Sequence, residues 1–507
     1  MVLKNIRSGS RRSFGRALGA LVSSACFWAS AAGAQALAPA KAPPAPPKAA
    51  PTKPPAVATK VSGDADRRQV TITVYNQGFG LVREVRELAD LGKGRVALEF
   101  RDVASTIQPE TVAVKSLGGG LSVLEQNYRF DLLTPETLLD KYVGRNVRAY
   151  RYHEATGKED VVDAKLLSVA NGPVLQMGGE ITFGYPGRLA FPELPPDLIA
   201  KPTLVWLVDS AQPKQSLEVS YLAQSLSWKA DYVFVVNDKD DSGDLVGWVT
   251  LQNQSGATYR DAELKLVAGD VNRVRDEAPA PQRMYKMEAA GAVSKPQFKE
   301  EGLFEYHLYT LGRPTTLRDK EQKQVTLLEA QNIGVTKKLL FEGQEYWYRS
   351  QYGQVAQKQK VGVFLDFKND EAHHLGMPLP KGTIRVYKAD KAGAKQFVGE
   401  DAIDHTARDE KVRIKMGEAF DVVADAKQTD YKVLGNCTSE SAWQVEFRNH
   451  KDEAVRVEAR EPVGGDWTIV ESSLPAKKED ANTAVFDVPV PKRGATKLTY
   501  RVRVRWC

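Results

Sequence analysis

Alternation of apolar and polar residues dominates this chain. Val70-Thr71-Ile72-Thr73-Val74-Tyr75 alternates up to the turn Asn76-Gln77-Gly78, and Leu81 to Val85, Val96 to Phe100 and Thr111 to Val114 follow at short intervals. A period of two puts successive side chains on opposite faces of a strand, so residues 65–130 are expected to form an N-terminal antiparallel β domain. Leu91-Gly92-Lys93-Gly94 leads into a strand pattern rather than a helix, which makes it a turn and not a phosphate loop. One helix stands out, over residues 134–143: Thr134 is its cap, Pro135 opens its first turn and Gly144 follows its end. Short strand patterns then recur around 147–152, 161–169, 174–177 and 181–183, broken by glycine turns. Residues 131–200 therefore read as a short helix plus a small barrel-like segment, since closure removes free edges, with a Pro-rich connector over 186–202.

From residue 201 to 507 the pattern repeats in form. Trp248 to Asn253, Val363 to Asn369 and Val445 to Asn449 each alternate and stop at an asparagine; a polar loop and another alternating strand follow each time. Asparagine turns a chain through its own side-chain hydrogen bonds, so each unit is expected to supply two strands of a sandwich. Residues 275–301 have no period and are expected to be a loop. The fold class that results is mainly β: several antiparallel β-sandwich or barrel-like domains with one or few short helices.

The chain has 507 residues, 42% hydrophobic and 26% charged, with a formal charge of +6. The positive excess is local. Residues 1–34 carry Lys4, Arg7, Arg11, Arg12 and Arg16 and no acid, and residues 35–60 carry four lysines and no acid. Setting those nine aside leaves 61 basic residues against 64 acids, so residues 61–507 sum to −3. A nucleic-acid protein needs its basic excess on a folded surface, so nucleic acid is not an expected partner.

The basic start, the moderately apolar stretch Ala17 to Ala32 and the small residues Ala32-Gly33-Ala34 form an export signal over residues 1–34, with cleavage before Gln35. Ser10-Arg11-Arg12-Ser13-Phe14-Gly15-Arg16 resembles a twin-arginine signal, with Gly15 where an apolar residue is usual; twin-arginine export and ordinary secretion both stay open. Serines and Gly33 interrupt the apolar run, so it is not read as a membrane span, and the mature protein is not expected to be integral to a membrane. Residues 35–64 form a Pro/Ala/Lys-rich linker, with eight of the 27 prolines between Pro39 and Pro55. The expected location is the periplasm or another exported site in the cell envelope. There, the two cysteines left after cleavage, Cys437 and Cys507, are candidates for a disulfide, although spacing alone leaves the pairing open.

Several segments carry a family resemblance. Ser227-Trp228-Lys229-Ala230-Asp231-Tyr232, Leu251 to Gly256, Ala262 to Asp270, Phe304-Glu305-Tyr306-His307-Leu308-Tyr309, Pro380 to Tyr387 and Tyr500 to Trp506 are similar to the bacterial family catalogued as domain of unknown function 4139. The resemblance covers roughly residues 200–507. That family includes proteins similar to mucoidy inhibitor A, linked to exopolysaccharide or capsule phenotypes, and has no established catalytic residues. Its members usually place a coiled coil before the shared region; here no heptad run exists and residues 140–192 take that place.

The candidate chemistry is thin. Asp238 to Asp244 spaces oxygen ligands like a calcium loop, but Val249 stands where the bidentate Glu belongs, and an acidic hairpin loop is the better reading. His373 and His374 adjoin Asp370 and Glu371, yet two adjacent rings converge on a metal only in an irregular loop. His405 beside Asp401 and Asp404 lacks a spacing that makes an acid–base pair. Tyr346, Trp347 and Tyr348, with Tyr352 nearby, could stack on sugar rings, or at least one of the three serves the core, as strand alternation demands. No catalytic residues, metal ligands or cofactor are assigned. The expected function is that of an exported, non-enzymatic scaffold or interaction protein whose partner is an envelope protein or a glycan. Carbohydrate binding through exposed aromatics, and hydrolysis at an unrecognised site, are the alternatives.

Overall fold

The computed structural model describes residues 57–153, 157–273 and 297–507. The expected leader, the linker up to residue 56 and the aperiodic segment up to residue 296 lie outside the described residues.

Strands prevail as the alternation demands, and the sheets are mixed rather than purely antiparallel. Among the described residues four strand pairs run parallel: Ala58–Ser62 on Gly94–Arg101, Tyr259–Ala268 on Arg67–Tyr75, Leu226–Val236 on Gly382–Ala389, and Thr336–Glu342 on Val455–Pro462. Each such pair needs a long crossover, which local periodicity does not encode. The first of them also takes residues 58–62 out of the expected linker and into a sheet.

Three sheets share one core that runs from Val70 to Ile414. In the four-stranded sheet, Thr203–Ser210 lies between Gly94–Arg101 and Leu121–Arg129. In the eight-stranded sheet, Gln215–Gln224 pairs with Phe79–Leu88. Residues 65–130 therefore do not close on themselves; they are completed by strands from beyond residue 200. Between the two halves the chain leaves to form a small five-stranded sheet covered by the helix Pro135–Tyr142. Thr134 caps that helix, its hydroxyl accepting the Thr137 N–H at 3.2 Å, and Gly144 follows at φ +83°, both as the sequence requires.

A second core lies inside a nine-stranded sheet that curls on itself around Trp443, Phe447, Phe486 and Tyr500. Two long strands, Gln354–Lys368 and Lys411–Gly435, run through both cores. Leu365, Phe367, Val412 and Ile414 sit in the first, and Val361, Val422 and Ala424 in the second.

The three strand-ending asparagines are buried corners. Asn253 donates its amide to the carbonyls of Ala257 and Arg318, both at 2.9 Å, and accepts the Ser255 N–H at 3.0 Å. Asn449 donates to Glu453 at 2.7 Å and Pro491 at 3.1 Å, and accepts the Lys451 N–H at 3.0 Å. Asn369 donates to Met377 and Ala407, both at 3.0 Å, and accepts the Gly376 N–H at 3.1 Å. Each corner hands the chain to a strand that is not a neighbour of the one it ends. A buried side chain with donors and acceptor satisfied replaces the ladder bonds that stop there.

Candidate functional site

The aromatic group forms no strand. Glu345–Tyr348 is a turn of 3-10 helix following Thr336–Glu342, and it sorts its rings differently from strand alternation. Trp347 and Tyr348, 1% and 0% exposed, both go inside, where Trp347 stacks on Trp443 at 5.6 Å. Rings so covered offer no face to a sugar, which removes Trp347 and Tyr348 as glycan contacts. Tyr346 is 50% exposed and meets Tyr352 edge-on at 5.8 Å. Arg349 from the same turn lies over the ring of Trp506 at 5.5 Å. The exposed group is therefore Tyr346 of the turn, Tyr352 just after it and Trp506 near the C-terminus.

Beneath this turn sits a buried carboxyl. Val455–Pro462 alternates so that Val457, Ala459 and Glu461 face the core. Glu461 Oε2 accepts the Tyr348 hydroxyl at 2.7 Å, and the Tyr348 and Tyr500 hydroxyls lie 2.8 Å apart. Neither Glu461 Oε1 nor Trp347 Nε1 has a partner. Burial pushes the Glu461 carboxyl up from 4.5 to about 7, against the smaller opposite pull of the two tyrosine hydroxyls. Gly343 makes this arrangement possible, because a Cβ there would stand 2.0 Å from Oε2.

The other candidates are tied off by neighbours. Asp240 of the acidic loop is held by Lys337 Nζ and Lys388 Nζ, each at 2.6 Å. Burial raises its carboxyl, but these two lysines outweigh burial and keep it below the usual range. They stand where a cation would. His373 Nδ1 lies 2.5 Å from Asp370 Oδ1, while His374 Nδ1 is 2.8 Å from the Gln331 carbonyl, so the two rings engage different partners. The His373 contact lowers Asp370 to about 2. Among the described residues no three His, Cys, Asp or Glu side chains form a group that could hold a metal. His405 Nδ1 accepts the Lys381 N–H at 3.2 Å; burial, and then the Lys381 charge, hold its imidazole below the ordinary value and neutral at pH 7.

Cys437 and Cys507 are bonded, with Cα atoms 5.7 Å apart. They sit beside the last ladder pair of two adjacent strands, Thr438 opposite Arg505. The tertiary pairing thus decides what spacing left open.

Four segments far apart in sequence meet at one node. Trp228 donates its indole N–H to Val267 at 3.2 Å, Tyr232 its hydroxyl to the Pro380 carbonyl at 2.7 Å, and Tyr309 its hydroxyl to Pro378 at 2.9 Å. Lys381 Nζ pairs with Asp270 at 2.8 Å. The hairpin Phe298–Leu303, Tyr306–Leu311 rises from this node and carries Phe304 at its tip, 90% exposed. Sequence reasoning missed this residue as a functional candidate, although a two-residue turn of Phe-Glu between strands, where glycine or asparagine is usual, is a visible signal.

No family model matches this chain, and no curated protein is found similar to it. No helix among the described residues is long and apolar enough to cross a membrane.

Proposed function

We propose that this protein is exported to the bacterial cell envelope and acts there through its surfaces, as a scaffold or interaction module that binds an envelope protein. The observation that carries the reading is the display of large apolar side chains to solvent: Phe304 at a hairpin tip, Phe420 at 85% exposure on the strand Lys411–Gly435 next to buried Ala419, and Phe183 at 82% at the end of the strand Glu180–Phe183. Aromatic residues are enriched at the buried centres of protein–protein interfaces relative to the rest of a protein's surface. The basic leader with its small-residue cleavage site supports export, and the Cys437–Cys507 bond suits an oxidising compartment. Membership of the domain of unknown function 4139 family belongs to the same proposal. Its support is that four of the six segments carrying the resemblance, although distant in sequence, meet at one structural node through Trp228, Tyr232, Tyr309 and Lys381.

A second reading, glycan binding, draws on Tyr346, Tyr352 and Trp506, whose rings reach solvent beside the paired charges of Arg349 and Glu345. One experiment separates the two. The mature protein is used to capture partners from envelope extract, and proteins and glycans are analysed in parallel. A stoichiometric protein partner is the expected result. Glycan without protein, lost on Tyr346→Ala, would establish the second reading instead, and turnover of an envelope polymer by the purified protein would overturn both.

A further inference from the structure

The hairpin that carries Phe304 combines three features. Phe304 is the most exposed large apolar side chain among the described residues, and its neighbour Leu303 is 43% exposed. Its backbone is left-handed, φ +57°, a conformation that crowds the Cβ of any L-residue and that a hairpin turn ordinarily gives to glycine or asparagine. The base is held firmly: Phe298, Tyr309 and Leu311 are buried, and the Tyr306 ring lies so close over Gly269 that a Cβ there would be 2.4 Å from it. The Phe304 ring leans on Tyr306, two residues on in the same hairpin, with centroids 6.3 Å apart, a local contact set against the strain of a left-handed aromatic residue that faces solvent.

The charges around the tip specify the partner's chemistry. Glu301 and Glu305 flank Phe304 and are exposed. Glu300 pairs with His307 at 2.8 Å across the hairpin, and Lys299 lies further toward the base. An apolar knob in an acidic collar is matched by an apolar pocket rimmed with lysine or arginine, and is repelled by an anionic lipid surface.

We propose that the hairpin 298–311 is the docking element of this protein, with Phe304 inserted into an apolar, basic-rimmed pocket of a partner protein. The proposal rests on the interaction reading above and names the surface that performs it.

The test uses the full mature chain with the photo-crosslinking residue p-benzoylphenylalanine at position 304, in envelope extract, alongside Phe304→Gly and the double variant Glu301→Lys, Glu305→Lys. The expected result is one protein cross-linked at 304, with the linked peptide lining an apolar pocket that has Lys or Arg at its rim. Phe304→Gly should weaken binding of that protein by roughly tenfold or more while melting at or above the wild-type temperature, because the turn is relieved. The double charge variant should weaken binding and flatten its salt dependence. Binding of the same partner by Phe304→Gly as tightly as by wild type would overturn the hairpin assignment alone. A lower melting temperature for Phe304→Gly would assign the ring to the fold, and binding to phosphatidylglycerol vesicles through Phe304 would replace the protein pocket by a membrane. Capture of no partner by the wild-type protein would remove the interaction reading itself.

Discussion

Glu461→Gln isolates the buried carboxyl from every other titrating group. In the folded protein this carboxyl titrates near 7, against 4.5 for an ordinary glutamate, because it is fully buried with one oxygen unpartnered. Between those two pH values the folded chain keeps a proton that the unfolded chain releases. The raised value therefore leaves stability complete below about pH 4.5 and removes it progressively as the pH climbs through 7. The gap between 4.5 and about 7, at about 1.4 kcal/mol per pH unit, makes the loss about 3 kcal/mol at pH 8. Glutamine keeps the shape and can still accept the Tyr348 hydroxyl, but it carries no proton to lose. Unfolding is followed by tryptophan fluorescence, since the stacked Trp347 and Trp443 report on this core, in denaturant series from pH 4.5 to 8.5. Depressed carboxylates such as Asp366 and Asp240 act in the opposite direction, but they are common to both proteins and cancel in the difference. The stability of Glu461→Gln relative to wild type should rise by about 3 kcal/mol across that range. A difference independent of pH would show that Glu461 is ionised and solvated, and the reasoning would fail.

Three further outcomes follow from the packing. Gly343→Ala forces a methyl against Glu461 and should cost about 1–3 kcal/mol, but clearly less in a Glu461→Ala background; equal costs in both, measured by chemical denaturation, would refute the contact. Cys507→Ser opens a loop of 70 residues and should lower stability by about 4 kcal/mol in the chain-entropy model, with the wild type matching it only under reductant. Asn449→Ala strips partners from the Glu453 and Pro491 carbonyls and the Lys451 N–H, and should cost about 2–3 kcal/mol in thermal or chemical unfolding. Asn449→Asp keeps the acceptor for the Lys451 N–H but lacks the amide donors and buries a carboxyl, so the Glu453 and Pro491 carbonyls stay without a partner and the stability should not be restored.

Features fixed by neighbouring residues are legible in the sequence, and those that need a partner strand are not. Thr134, Pro135 and Gly144 act through bonds within a few residues, so the helix was legible in full. The asparagine corners were visible as alternating runs that stop at Asn253, Asn369 and Asn449, but the carbonyls they grip on distant loops were not. Glu461 stood in plain view on the apolar phase of Val457 and Ala459, and only the Tyr348 and Tyr500 hydroxyls show why a carboxyl is kept there. That at least one of Tyr346, Trp347 and Tyr348 serves the core was legible; that two do, and that Tyr346 is the one left outside, was not, because a 3-10 turn divides three neighbouring residues differently from a strand.

By itself, then, the sequence determined a mainly β protein with one capped helix, because periods of two and 3.6 and cap residues are local properties. The tertiary structure alone decided that residues 65–130 share a core with strands beyond 200, that Cys437 meets Cys507, that a carboxyl lies under the aromatic turn, and that Phe304 faces solvent at a hairpin tip. Each of these depends on which strand lies beside which. That is set by burial summed over the whole chain, and no short window of residues contains it.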